Sequence, residues 1–275
     1  MNAKSRLVLA ALAPVLALAT AVPASAHRMW LLPSKTVLSG DDAWITVDAA
    51  VSNDLFEANH RPLDPEQVEV EMPDGSKGAI ANPMRGELRG TFDVHLTSQG
   101  TYRIGMERAG IFGGYMLNGE RKRLPRGAAA GDIAKLIPEG ATDVNLAETI
   151  MRNEVFVTLG TPTEEVFKPS GKGLEMVPVT HPDDLVANEP GVFRFLIDGE
   201  PAAGLKLTVI KGGGRWLNTP IEISATTDAK GEATIAWQDA GFYWLEAEAE
   251  DDKAALPNAG KRRLGYITTL EVLAP

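Results

Sequence analysis

Through most of its length the chain alternates apolar and polar residues with a period of two, broken by Gly, Pro and Asp, which predicts strands joined by turns. The alternation is clearest in residues 43–51 (AWITVDAAV) and recurs in 67–72, 91–96 and 101–106. Ser39-Gly40-Asp41-Asp42, Pro73-Asp74-Gly75 and Ser98-Gln99-Gly100 supply the turns. The same grammar returns in residues 192–197, 205–210, 232–237, 242–249 and 264–272, with Asp198-Gly199, Asp228-Ala229-Lys230-Gly231 and Asp239-Ala240-Gly241 between them. The two stretches share an echo: a Tyr stands two residues after a turn Gly in Gly100-Thr101-Tyr102 and again in Gly241-Phe242-Tyr243. A tyrosine at that place resembles the corner tyrosine of immunoglobulin-like sandwiches. The expected fold is therefore all-β, two immunoglobulin-like β-sandwich domains at 27–173 and 174–275.

Residues 109–173 read differently. Residues 119–127 (GERKRLPRG) are rich in Gly and basic side chains, and 129–137 and 145–152 are expected as short helices. Residues 154–159 (EVFVTL) are expected as a strand completing the first sandwich. The rest, about 109–153, is expected as a partly helical or irregular excursion. Arg121, Lys122, Arg123 and Arg126 make it the one basic patch of the chain, most simply a solvated loop.

The first 26 residues carry a different signal. Lys4 and Arg6 precede an apolar run from Leu7 to Val22, and Ala24-Ser25-Ala26 forms an A-x-A cleavage site, the pattern of a secretory signal peptide. The run is short for a membrane span and no second candidate follows, so the mature chain is expected without a transmembrane segment, in the periplasm or secreted. Cleavage removes two cations and leaves 25 basic against 37 acidic residues, a net charge of −12. Such a surplus argues against nucleic acid and serves small acidic ligands poorly. The absence of cysteine excludes disulfide scaffolds, thiolate metal sites and thiol catalysis.

Cleavage after Ala26 makes His27 the N-terminal residue, and its α-amino group and imidazole can then grip one metal ion together. A second histidine would complete a three-nitrogen site, a histidine brace. Nitrogen ligands without thiolates suit nickel, cobalt, copper or zinc, with copper favoured by intrinsic affinity. His60 follows the run Asn53-Asp54-Leu55-Phe56-Glu57-Ala58-Asn59 in a loop, where ligands are commonly carried, and is the leading second ligand. His95 alternates with Phe92, Val94 and Leu96 and so points away from the apolar side, together with Asp93. His181 lies between Pro178 and Pro182 at the junction of the halves, as a further ligand or a linker stiffener.

No other catalytic constellation stands out. There is no G-x-S-x-G, H-E-x-x-H, Walker or G-x-G-x-x-G motif, and Gly212-Gly213-Gly214 reads as a hairpin loop. The acid pairs Asp41-Asp42, Asp183-Asp184 and Asp251-Asp252 fall at turns. Of the five tryptophans, Trp44 and Trp244 are expected to fill cores, and Trp30 lies close to His27.

The segment Ala26-His27-Arg28-Met29-Trp30-Leu31-Leu32-Pro33, with Gly40-Asp41-Asp42-Ala43-Trp44, Asn53-Asp54-Leu55-Phe56 and His60, resembles the DUF4198 family of exported proteins. The stretch Gly173-Leu174-Glu175-Met176-Val177-Pro178-Val179-Thr180-His181-Pro182 and the starts of the later strands fit it too, over essentially the whole mature chain. The family has been grouped with periplasmic components of nickel and cobalt uptake. The resemblance thus implies metal handling, with His27, His60 and His181 as positions of interest.

The leading expectation is a non-enzymatic exported protein that binds nickel, cobalt or copper and hands it to a transporter or outer-membrane receptor. Two others stand beside it: an immunoglobulin-like interaction module without metal, and a copper oxidoreductase using the same brace on a polysaccharide, which needs a flat aromatic surface next to it.

Overall fold

The structure, a computed structural model, describes residues 27–125, 127–255 and 259–275; the expected signal segment and Arg126 lie outside the described residues. The strands form three sheets. The first has five strands: Arg28–Pro33, Ala43–Ser52, Gly90–Leu96 and Ile80–Arg85 in that order, with Arg61–Pro62 beside Ala43–Ser52. The second has nine. Its order is Glu222–Thr226, Lys206–Lys211, Gly241–Asp251, Ala259–Val272, Thr142–Leu159, Gly100–Leu117 and Glu69–Glu71, with Val37–Leu38 and Glu120–Arg123 attached at the side. The third has four, built on Leu174–Pro178, Pro190–Ile197 and Glu232–Ala236 with Glu200–Pro201.

The nine-stranded sheet is common to both halves, and side-chain parity shows how. Tyr102, Ile104, Val155 and Val157 point to one face, where they pack with Leu31, Ile45, Val47 and Phe92 of the first sheet. Ile210, Trp244 and Ile267 extend that face against Trp30, Ala50 and Leu55. Phe156, Tyr243, Leu245, Leu264, Tyr266 and Leu270 point the other way, onto Met176, Phe193, Phe195 and Ile235 of the third sheet. The two expected sandwiches are thus stacked through one shared layer, each about 10 Å from the next by ordinary sheet packing. The third sheet begins with Leu174–Pro178.

The sequence pattern misleads in one strand of this layer. Thr142–Leu159 is one strand of 18 residues, paired in parallel with Ala259–Val272 and antiparallel with Gly100–Leu117. Residues 145–152, expected as helix, belong to it, which corrects that reading. Within 145–152 only Leu146, Ala147 and Arg152 are buried, so the segment has no clean two-residue alternation, and it is strand because it pairs with two partners distant in sequence. The expected excursion is accordingly a β-hairpin extension, Gly100–Leu117 with Glu120–Arg123. The short helix Ile133–Leu136 and the 3-10 turn Ala130–Asp132 are its only helical elements among the described residues.

Both anticipated corner tyrosines are buried and bond back along the chain. The Tyr102 hydroxyl donates to the Ser98 carbonyl (2.8 Å) and accepts from the amides of Ser98 (2.8 Å) and Thr97 (3.1 Å). The Tyr243 hydroxyl donates to the Asp239 carbonyl (2.8 Å). A tyrosine whose hydroxyl caps the turn four residues upstream is the immunoglobulin-type corner, present here once in each half.

The central strand also carries charge into the interior. Tyr266 donates to Glu154 (2.7 Å), and Arg152 bridges Glu175 (2.9 Å) and Glu107 (2.8 Å). Burial pushes the Glu154 carboxyl up against the opposing pull of Arg152 and Arg103. Arg152, Glu154 and Glu107, with the Arg103–Glu71 ion pair, line a cavity of about 280 Å³ within the first half.

Candidate functional site

Strand pairing brings His27 and His60 to one place. Arg28 lies opposite Ser52, and Arg61 lies opposite Val51 from the other side of the same strand. His27 and His60 each precede those residues, so they flank the end of Ala43–Ser52 from its two neighbours. Their ring centroids stand 4.0 Å apart at an interplanar angle of 30°, and both residues are exposed.

The loop between them is held by its own polar residues. Asn59 accepts from the Asn53 amide through Oδ1 (2.9 Å) and donates to Asp54 through Nδ2 (2.8 Å), while Ser52 donates to the Asp54 carbonyl (2.7 Å). Ser52 in turn accepts from the indole of Trp30 (2.7 Å), which ties the loop to the core. Phe56, at a φ of 62°, sets its ring edge-on to Trp30 at 5.7 Å. A positive φ at a bulky residue is an uncommon conformation, and here it turns the ring inward while the chain continues to His60. The Asn-Asp-Leu-Phe run thus supplies two apolar anchors and a polar clasp, which leaves His60 at the rim.

Arg28 places its guanidinium 5.8 Å from the Trp244 ring centre and near Glu246. Burial and then the adjacent Glu248 push the Glu246 carboxyl up to about 7, with Arg28 pulling the other way. Sequence reading missed this group. Its signal was the parity of residues 244–250 (WLEAEAE), which puts Glu246 and Glu248 on the face of the buried Trp244.

The other two histidines are elsewhere and differently engaged. His95 points outward as expected, stacks on Trp44 (centroids 4.2 Å apart, 7° between planes) and meets Asp42 through Nε2 at 2.9 Å. His181 is largely buried. Its Nδ1 accepts from the Asp183 amide (3.1 Å), its Nε2 meets Thr101 Oγ1 (3.1 Å), and its ring packs edge-on to Phe167 at 5.2 Å. Nδ1 as acceptor makes Nε2 the donor in the neutral ring, so both nitrogens already serve the junction of the halves. Among the described residues, no three His, Asp or Glu side chains meet as a metal cluster. The α-amino nitrogen that cleavage after Ala26 would free is not a side chain and is additional to that census.

Trp30, the tryptophan nearest His27, is buried and offers no flat surface beside it, whereas Trp44, expected in a core, is 52% exposed. Trp244 is buried as expected.

A family model described as a domain of unknown function, DUF4198, matches residues 24–251. The chain belongs to the DUF4198 family. All four histidines and Glu246 lie within the DUF4198 match, while Ala259–Val272, the parallel neighbour of the central strand, lies beyond it. No curated protein matches the sequence. Among solved structures, a DUF4785 family protein of Legionella pneumophila matches 82% of this chain at 9% identity and a TM-score of 0.25. The chain spans about half, 53%, of that protein. The D0-D1 domain of Intimin is 14% identical over 88% of this chain and 97% of its own, with a TM-score of 0.21. A marsupial T cell receptor is 10% identical over 90% and 74%, with a TM-score of 0.22. No helix of the described DUF4198 residues is long and apolar enough to cross a membrane.

Proposed function

We propose that this DUF4198 protein is an exported carrier of a transition metal, nickel, cobalt or copper, held at its mature N-terminus by His27 and His60 and passed to a transporter or outer-membrane receptor. The observation that carries the reading is the approach of two exposed imidazoles, from residues that immediately precede separate strands, to a centroid distance of 4.0 Å. Nitrogen ligands of one metal ion stand about 2.0–2.1 Å from it, a span that two rings so close can bridge with one nitrogen each. Once residues 1–26 are removed, the α-amine of His27 supplies a third nitrogen on the same residue.

The donor set fits a nitrogen-preferring ion, because no cysteine exists in the chain to recruit a softer one. His95 and His181 belong to other environments and are not part of the proposed site. The polar clasp of Asn53, Asp54 and Asn59 would orient His60, the supporting role that residues behind a metal ligand usually take.

The test begins with mass spectrometry of the exported protein, which should find His27 first. Titration with each of the three metals should then give one site per chain. One residue added before His27, or His60→Ala, removes a direct ligand and should weaken it by at least the roughly 10–100-fold that losing a group behind a ligand costs. Equal affinity with the extra residue would remove the amine from the site and with it this reading.

A further inference from the structure

The outer face of the first sheet carries a second feature, far from the histidine pair. In Ala43–Ser52 the buried residues Ile45, Val47 and Ala49 face the core, so Trp44, Thr46 and Asp48 face outward. Across the pairing with Gly90–Leu96, Trp44 lies opposite His95, Thr46 opposite Asp93 and Asp48 opposite Thr91. We propose that this face binds a neutral saccharide chain, with Trp44 as its stacking platform.

Three observations point there. First, the indole is 52% exposed yet held: His95 lies against it at 4.2 Å and 7°, and Asp42 holds the His95 Nε2 at 2.9 Å. With the imidazole covering one side, the opposite side of the indole is left as a flat, ordered apolar surface on a rigid strand. Such a plane suits the C–H face of a sugar ring and needs little ordering on binding. Second, polar groups surround it in the plane of the sheet. Asp41 accepts from Gln99 (2.6 Å), and Asp93 accepts from Thr46 (2.7 Å) and Asn82 (2.8 Å). Third, those bonds to Asn82 and Thr46 hold the Asp93 carboxyl below the usual range, so the rim is rich in carboxylate acceptors for hydroxyl donors. Arg89 is paired with Asp48 (3.1 Å), and Asp41, Asp42 and Asp93 around the indole repel uronates, sulfated or phosphorylated sugars, which makes the ligand neutral.

From Trp44 to Asp48 the stripe runs about 13 Å at roughly 3.3 Å per residue, a length for a few sugar rings rather than one. Trp44 and Ser52 are at opposite ends of the strand, about 26 Å apart by the same rise, so this surface and the histidine pair are separate.

The experiment is calorimetric titration of the mature protein with cellohexaose, xylohexaose and chitohexaose, with sedimentation analysis of each protein. At least one oligosaccharide should bind the native protein. Trp44→Ala should weaken that binding about tenfold or more, His95→Ala by a smaller factor, and Trp216→Ala, which removes the other highly exposed indole, not at all. Trp44 is a surface residue, so unchanged thermal unfolding of Trp44→Ala separates a lost contact from a lost fold. The proposal is overturned if none of the three sugars binds, if Trp44→Ala binds like the native protein, or if Trp44→Ala alters only self-association.

Discussion

His181 sits at the junction of the halves, where its two ring nitrogens meet the Asp183 amide and the Thr101 hydroxyl and its edge rests on Phe167. His27 and His60 meet each other at the rim, at the ends of two strands, with their residues exposed. All three are imidazoles beside strand ends, and their surroundings give them opposite uses. At the junction the ring accepts from the Asp183 amide and joins the Thr101 hydroxyl to the second half. At the rim, ring faces ring and both residues are exposed, where a ligand can reach them. A histidine count alone does not separate these cases; the burial and ring contacts of each do.

The sharpest way to break this contrast is to remove each ring in turn. His181→Ala leaves the Asp183 amide without its acceptor, removes one of the partners of Thr101 Oγ1 and opens space beside Phe167, so chemical denaturation should show a loss of about 3 kcal/mol. His60→Ala, in metal-free buffer, should cost under about 0.5 kcal/mol, as surface changes usually do. Equal losses from the two substitutions would end the comparison.

Metal turns the contrast around. At a free concentration 100 times the dissociation constant, a bound ion stabilises the folded state by about 2.7 kcal/mol. Thermal unfolding of the mature protein should therefore shift upward with nickel, cobalt or copper. His60→Ala should abolish most of that shift, and a protein altered at His181 should keep it relative to its own lower baseline. A shift that survives in His60→Ala would move the site elsewhere.

How far the sequence carried these readings differs by element. The tyrosine corners were legible, because a turn glycine, a fixed spacing and a strand start are all local features. His95 was placed outward by parity. The same parity applied to Trp44 puts it outward too, opposite Ile45 and Val47, so expecting it in a core weighed residue type above periodicity. The helix expected at 145–152 failed for a non-local reason: the segment is held as strand by pairing with Gly100–Leu117 and Ala259–Val272, and nothing within it announces those partners. His27 with His60 was a chemical expectation drawn from the cleavage motif. Their proximity depends on two strand registers, Arg28 with Ser52 and Arg61 with Val51, which are tertiary facts. Glu246 went unnoticed because an acid within an alternating strand reads as solvent-facing unless its parity with Trp244 is followed.

Glu246 sharpens the comparison through pH. Its carboxyl is near 7 in the folded chain and 4.5 when free, so between these values the folded state binds more protons than the unfolded one. Stability on this account is complete below about 4.5 and declines as pH rises through about 7. The full separation sets an upper limit of roughly 3 kcal/mol, and partial access to solvent brings the expected loss to about 1–2 kcal/mol. Glu246→Gln should flatten the stability profile across that window. A profile unchanged by the substitution would mean that the carboxyl is better solvated than its place beside Trp244 implies.

The smallest effect concerns the two corner hydroxyls, which repeat the contrast between a group with several partners and one with few. Tyr102 serves one carbonyl and two amides at its turn, whereas Tyr243 serves one carbonyl. Removing either hydroxyl leaves the ring in place, so the loss isolates those bonds, each worth about 0.5–1.5 kcal/mol. Tyr102→Phe should cost more than Tyr243→Phe by about 1 kcal/mol, because two backbone amides lose their acceptor in the first case and none in the second. The Tyr102 turn, Ser98-Gln99-Gly100, leads straight into Thr101, the partner of His181. Tyr102→Phe combined with His181→Ala should therefore cost measurably less than the two separate losses added together. Tyr243→Phe combined with His181→Ala should be additive within about 0.5 kcal/mol, as for sites that share no partner.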